Sequence, residues 1–359
     1  MNLRYLVPAL GILASTTGVA FAENVGGLTV GGFVDTIATV SDTQDDGDRA
    51  QTTFSAATEL RIGYKAGDKV TAQIDVEWNN SNNAGGLDPA GEAARDSVYL
   101  EQAYVNYAFA DKLSLTTGKF TTYAGWVAAD ADGLYRINAG PIVGLYGGEL
   151  VGAALNYSAS DELGVSLFLV NGLDVVNDAS SNTNDNRRIS PAIDIVYKAA
   201  DLGTFNLEAG YDNFNADSEE LSLGANATIK LADYKPLTLA AEVLWRSTND
   251  DAANSETTDL GFLAMANHTI PDMAFPMSVT LMLQHVTSEE EAGGTTTVEG
   301  DVTEVALALL TNPTGDSHYG LNAEVSYAMG KADIGTFTST GTDEENTLTV
   351  SLEAIAVIP

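Results

Sequence analysis

Cysteine is absent from this 359-residue chain, which excludes disulfides and every thiolate metal site. Basic residues are scarce. Sixteen lysines and arginines stand against 50 aspartates and glutamates, a net charge of −34 at pH 7, and such a surface disfavours nucleic acid as a partner. Histidine occurs only at His268, His285 and His318. None pairs with a serine and a carboxylate in the way a hydrolase or acyltransferase site requires. No Walker or dinucleotide glycine motif stands in a helical context. Asp130-Ala131-Asp132-Gly133 matches only the start of a calcium loop, because the later acidic ligand is missing, and Asp42 to Asp48 reads as a solvated acidic loop. The sequence therefore names no catalytic residue, no cofactor and no metal ligand set. Long apolar runs are also lacking, so no stretch after the N-terminus is suited to a membrane helix.

The one apolar run of note, Leu6 to Val19, follows Arg4 and precedes Ala20-Phe21-Ala22, a small-x-small cleavage site. Residues 1–22 read as a secretory signal, and residues 23–359 as one domain without a linker or composition shift.

What the chain does have is alternation. Phe54, Ala56, Thr58, Leu60, Ile62 and Tyr64 form one phase; Ser55, Ala57, Glu59, Arg61, Gly63 and Lys65 form the other. Val70, Ala72, Ile74, Val76 and Trp78 alternate with Thr71, Gln73, Asp75, Glu77 and Asn79. Leu207 and Ala209 flank Glu208, Val243 and Trp245 face away from Glu242 and Arg246, and Ala323 and Val325 bracket Glu324. A strand has a side-chain period of two, so these are strands with one apolar and one polar face. They run about ten residues, the length of a tilted membrane-spanning strand. The expected class is all-β: a transmembrane antiparallel barrel, apolar phase to lipid and polar phase to water. Mean hydropathy near zero fits, because an inward polar phase dilutes the apolar one.

Counting segments gives about sixteen strands, near 28–40, 51–65, 69–79, 97–109, 113–119, 149–158, 163–172, 188–198, 204–212, 219–231, 237–246, 258–268, 277–287, 301–310, 318–328 and 346–358. Near Val98 both phases hold apolar residues, and Gly31-Gly32 interrupts the first strand. Short turns such as Ala66-Gly67-Asp68 alternate with longer polar loops, among them Phe120–Gly148, Ser247–Thr257 and Ser288–Gly300. That asymmetry belongs to outer-membrane barrels, with short periplasmic turns and long extracellular loops. Tyr64, Tyr107, Tyr157 and Tyr197 mark the short-turn ends; Phe54, Trp78, Tyr211 and Trp245 mark the others. Two girdles at headgroup level argue for a bilayer over a soluble sandwich or an exported adhesin.

Six of eight lysines lie near short turns, while the long loops are acidic. An acidic mouth concentrates cations and repels anions. About sixteen strands enclose a water-filled lumen, lined here by Glu59, Arg61, Asp75, Glu77, Glu208, Glu242, Arg246 and Glu324. The expected partners are outer-membrane lipids and small hydrophilic solutes and ions. The longest loop carries Trp126, Asp130, Asp132, Arg136 and several glycines, and long loops with such content are often functional. Arginines 61, 136 and 246, should they converge at the narrowest point, would select anions instead. A channel specific for a sugar, peptide or hydrophobic compound is the alternative, although no inward aromatic ladder is present. An outer-membrane enzyme is disfavoured for want of a nucleophile–base pair.

The stretch Leu113-Ser-Leu-Thr-Thr-Gly118-Lys119-Phe120-Thr-Thr-Tyr-Ala-Gly125-Trp126, preceded by Leu100-Glu-Gln-Ala-Tyr104-Val-Asn-Tyr107, resembles Gram-negative outer-membrane porins. It is most similar to the group called beta-barrel porin type two. In sixteen-stranded porins the third long loop folds into the lumen and narrows it. The resemblance implies that role for Phe120–Gly148, with Lys119, Trp126, Asp130, Asp132 and Arg136 at the constriction. Resemblance to the general porins also implies a homotrimer.

Overall fold

The structure, a computed structural model, describes residues 27–43, 50–81, 97–127, 133–173, 189–200, 202–213, 218–231, 236–251, 253–293, 295–315, 318–331 and 344–358. The chain forms β1 (Leu28–Thr43), β2 (Gln51–Ala66), β3 (Val70–Ser81), β4 (Ser97–Ala110), β5 (Leu113–Phe120), β6 (Leu150–Ser158), β7 (Leu163–Val170) and β8 (Ser190–Ala199). It continues as β9 (Gly203–Asn213), β10 (Ser218–Lys230), β11 (Leu237–Asp250), β12 (Ser255–Thr269), β13 (Met277–Ala292), β14 (Thr295–Thr311), β15 (Tyr319–Lys331) and β16 (Glu344–Ile358). Each strand pairs antiparallel with its sequence neighbours, and β1 pairs with β16 from Gly32↔Ile358 to Thr43↔Thr347, which closes the barrel. Closure satisfies every edge, the condition for strands in hydrocarbon. The proposed signal segment lies outside the described residues.

The two faces follow from the alternation. Leu60, Ile74, Leu207, Leu223, Leu281, Leu307 and Val325 are exposed on the outer surface, while their neighbours Glu59, Asp75, Glu208 and Glu324 are buried inside. Tyr64, Tyr107, Tyr157 and Tyr197 are exposed at one end of the outer surface, Phe54 and Tyr211 at the other. The phases predict unequal costs for the same charge. Ile74→Lys should destabilise the barrel by about 2–4 kcal/mol if it lies near mid-membrane, whereas Gln73→Lys, on the water side, should be mild. Denaturant unfolding in lipid vesicles measures both, and equal costs would invert the assignment of faces.

The irregularity near Val98 is a β-bulge. Asp75 pairs with Gln102 but Val76 pairs with Leu100, which leaves Glu101 without an opposite residue. A bulge shifts the phase by one residue. Tyr99 and Glu101 before it, and Gln102, Tyr104 and Asn106 after it, therefore all face inward. Val98, Leu100, Ala103, Val105, Tyr107 and Phe109 then form one unbroken outer face, with Val98, Leu100, Val105, Tyr107 and Phe109 exposed on it.

Two expected loops are not loops. Ser247–Thr257 and Ser288–Gly300 are mostly strand: β11 and β12 stay paired to Asp250↔Ser255, and β13 and β14 to Ala292↔Thr295. Glu289, Glu290 and Glu291 thus stand on a ladder that continues beyond the apolar band. Loss of the apolar phase marks where the lipid ends, not where strand pairing ends.

The apolar core lies inside the barrel. Ile142, Leu145 and Tyr146 from the β5–β6 connection pack on Ala240, Leu244, Leu263, Met265, Met282 and Val286 of β11–β13. A second cluster joins Phe120, Leu150, Ala154, Phe168, Val170, Leu173 and Ala192, with Tyr104 and Tyr123 against it.

Candidate channel constriction

The described parts of the connection between β5 and β6, residues 121–127 and 133–149, form a strap in the lumen fastened to the inner wall. Its backbone amides need acceptors, and inward carboxylates supply them. The Gly125 N–H donates to both carboxylate oxygens of Glu208, at 3.2 and 3.3 Å. The Trp126 N–H donates to Glu242 at 3.0 Å, and the indole N–H to Thr228 Oγ1 at 2.7 Å. The Tyr146 hydroxyl also donates to Glu242. Burial first, and Glu242 second, push the Tyr146 phenol above its ordinary pKa, so it stays a neutral donor.

The second fastening is ionic. Arg136 is buried and bidentate to Glu304, at 2.9 and 2.7 Å, and also donates to both oxygens of Glu324, at 3.2 and 2.7 Å. Glu324 further accepts the Ile137 N–H at 2.7 Å and the Asn138 side-chain amide at 2.8 Å. Burial opposes the charge of Arg136, but Glu304 and Glu324 outweigh it and hold its pKa above the usual arginine value. Two carboxylates and one guanidinium share a desolvated site, and removing the guanidinium would leave two buried like charges. The short 3-10 turn Pro141–Leu145 completes the strap, its Ile142 N–H donating to Gln284 Oε1 at 3.0 Å.

Glycines on the wall make room for the strap. A Cβ on Gly210 would overlap the Tyr123 hydroxyl, and one on Gly261 would sit 2.8 Å from Leu145 and 3.0 Å from Ile142. A large side chain at Gly261 therefore cannot coexist with the seated turn. Gly261→Leu should lift Pro141–Leu145, at an overpacking cost of about 1–3 kcal/mol, and change single-channel conductance while the barrel stays folded. Wild-type conductance in that variant would mean the turn does not rest there.

The lumen-facing residues expected from the sequence divide into two groups. Glu208, Glu242 and Glu324 are strap acceptors. Glu59, Arg61, Asp75 and Glu77 lie on the inner face of β2 and β3. Glu59 is buried and ion-paired to Arg61, whose guanidinium also lies 5.8 Å over the Phe33 ring. Asp75 accepts from Gln73 at 2.7 Å and Gln102 at 2.8 Å, and Glu77 from the Tyr99 hydroxyl. Asp35 and Glu353, which the pattern did not single out, share this region and are buried. Arg246 donates to Asp259 at 2.7 Å with Glu220 at 4.0 Å. The three arginines do not converge, since each is held by different carboxylates on separate strands.

Of the constriction residues, Trp126 and Arg136 are in the strap, and Asp130 and Asp132 lie outside the described residues. Lys119 is not in the lumen. It pairs with Ala103 and Val151 on the outer face, bonds to the Leu100 carbonyl at 2.6 Å and lies 3.6 Å from Glu149. Parity explains the difference, because Lys119 shares the phase of Leu113, Leu115 and Thr117 while Phe120 turns inward.

His285 is on the outer face, its Nδ1 2.8 Å from Thr303 Oγ1. Among the described residues no group of three His, Cys, Asp or Glu is placed to hold a metal, and no nucleophile–base pair faces the lumen.

A family model described as "Putative beta-barrel porin-2, OmpL-like" matches residues 27–357. No curated protein matches the chain. Solved barrels resemble it in fold. The outer membrane channel DcaP of Acinetobacter baumannii superposes with a TM-score of 0.65 at 14% identity, covering 94% of this chain and 100% of that one. OmpT of Vibrio cholerae, in a trimer form, gives 0.60 at 12% identity, over 92% and 99%. An anion-selective porin from Comamonas acidovorans gives 0.58 at 9%, over 91% and 99%.

Proposed function

We propose, for a chain that belongs to the beta-barrel porin-2 (OmpL-like) family of the outer membrane, passive diffusion of small hydrophilic solutes and ions through a strap-narrowed lumen, with a preference for cations. The observation that carries this reading is the strap itself. It lies on the wall from β9 to β16, through Glu208, Glu242, Gln284, Glu304, Glu324 and a 3.2 Å bond from Asn138 to Ser351. Among the described residues the inner wall of β1–β4 carries Asp35, Glu59, Asp75, Glu77 and Glu101 together with Arg61, which is paired to Glu59. Carboxylates outnumber bases among these described residues, and the charges along a pore set its selectivity.

Reversal potentials in a potassium chloride gradient across a planar bilayer test the preference. Cation selectivity is expected at low salt. It should fade at high salt, as the Debye length falls from about 10 Å at 0.1 M to about 3 Å at 1 M. Anion selectivity at low salt would refute it.

Residues 1–22 act, in this reading, as a cleaved export signal, and N-terminal sequencing of the membrane-extracted protein should begin at Glu23. A homotrimer is the assembly proposed, as in the trimer form of the Vibrio cholerae barrel. Cross-linking in membranes that yields monomers alone would exclude it.

A further inference from the structure

We propose that the lumen holds a binding subsite for a small planar carboxylate, on the short-turn side of the strap beneath Trp126. The site rests on the channel reading above, though not on its cation preference, because it lies in the lumen where a passing solute meets it. A cavity of about 520 Å³ lies there, lined by Trp126 of the strap and by residues of β8, β9 and β10. That volume falls in the range of small-molecule sites, about 300–1,000 Å³.

The wall of the cavity is ordered by register. Val196, Asn206 and Asn226 stand in one row across the three strands, and Lys198, Thr204 and Thr228 in the next row toward the turns. Lys230 follows two residues beyond Thr228 on the same face. Directly opposed residues on neighbouring strands share a face, with strands about 4.8 Å apart, so both lysines point into one cavity about three strands wide.

Lysine is rare in this chain, yet two of its eight lysines meet here, and both are exposed to the lumen. Of the carboxylates in the preceding row, Glu208 is turned to the Gly125 amide, while Asp194 lies against the Asn206 side chain of the cavity wall, one row farther from the lysines. Buried amide atoms, Asn206 Oδ1 and Asn226 Nδ2, have no hydrogen-bond partner among the described residues. Above them the Trp126 ring is fixed, bonded through its N–H to Thr228 and stacked on Tyr135 at 5.4 Å between centroids.

A fixed aromatic plane over two ammonium groups and an unpartnered amide donor fits a flat body carrying a carboxylate. The ring lies under Trp126, the carboxylate reaches the lysines, and Asn226 donates to it.

Equilibrium dialysis of benzoate against the purified full-length barrel, in detergent at low salt, tests the site without requiring current. One saturable site is expected. The exposed double variant Lys198→Gln/Lys230→Gln should bind about tenfold or more weakly, as should benzyl alcohol to wild type, because each loses a charged hydrogen bond. Acetate, which has no ring to lie under Trp126, should also bind more weakly. No saturable binding, or equal affinity in the double variant, overturns the proposal. So does inorganic phosphate displacing benzoate at lower concentration, which would make the site one for anions in general. Should the double variant fail to fold, Lys230→Gln alone is held to the same criterion. Conductance measured on the same preparation judges the channel reading separately.

Discussion

Replacing Arg136 with alanine should unfasten the strap and raise single-channel conductance, with larger current fluctuations than wild type. The cause is the composition of the site. Arg136 is buried, and removing it leaves Glu304 and Glu324 facing each other without a counter-charge. Breaking a buried ion group in this way costs about 3–5 kcal/mol. The barrel ladder does not depend on Arg136, so the strap, not the wall, should yield. Undocking also releases the Ile137 amide from Glu324 and exposes Glu304 and Glu324 to the lumen, which should strengthen cation selectivity. Glu304→Gln keeps Glu324 as the counter-charge and should have a smaller effect. Planar-bilayer recordings of both variants, with barrel content checked by circular dichroism, measure this. Unchanged conductance in Arg136→Ala would mean that the ionic fastening does not hold the strap.

Much of the barrel is legible from side-chain period alone, because lipid and water impose opposite demands on alternate residues. Ile74 and Asp75, or Leu207 and Glu208, assign two faces without any tertiary knowledge. Strand lengths are less legible where lipid gives way to water. The Ser288–Gly300 segment has no apolar phase, so nothing local distinguishes a paired ladder from a loop, yet β13 and β14 continue to pair there. The bulge at Glu101 hides a continuous outer face because one extra residue exchanges the phases.

The roles of the inward charges were not legible. Glu208, Glu242 and Glu324 carry the signature of pore lining, but whether a lumen carboxylate meets water or a strap amide depends on a contact across 83 to 187 residues. The partner Glu304 is legible only as a charge in the inner phase just before the apolar run Val305–Leu310. Inward Leu263, Met265, Met282 and Val286 were a readable signal as well. Apolar side chains in the inner phase are out of place on a wall facing water, and there Ile142 and Leu145 dock.

The most direct test compares single-channel conductance of the purified wild-type barrel with that of a variant lacking most of Phe120–Gly148, bridged by a short glycine-serine linker. Removing the strap clears both the ionic fastening and the apolar plug from the lumen, so its effect should exceed that of Arg136→Ala. Defined open-channel steps are expected from wild type, and distinctly larger ones from the variant. A folded wild-type barrel that passes no current, or two proteins with equal conductance, would contradict a water-filled lumen narrowed by this strap.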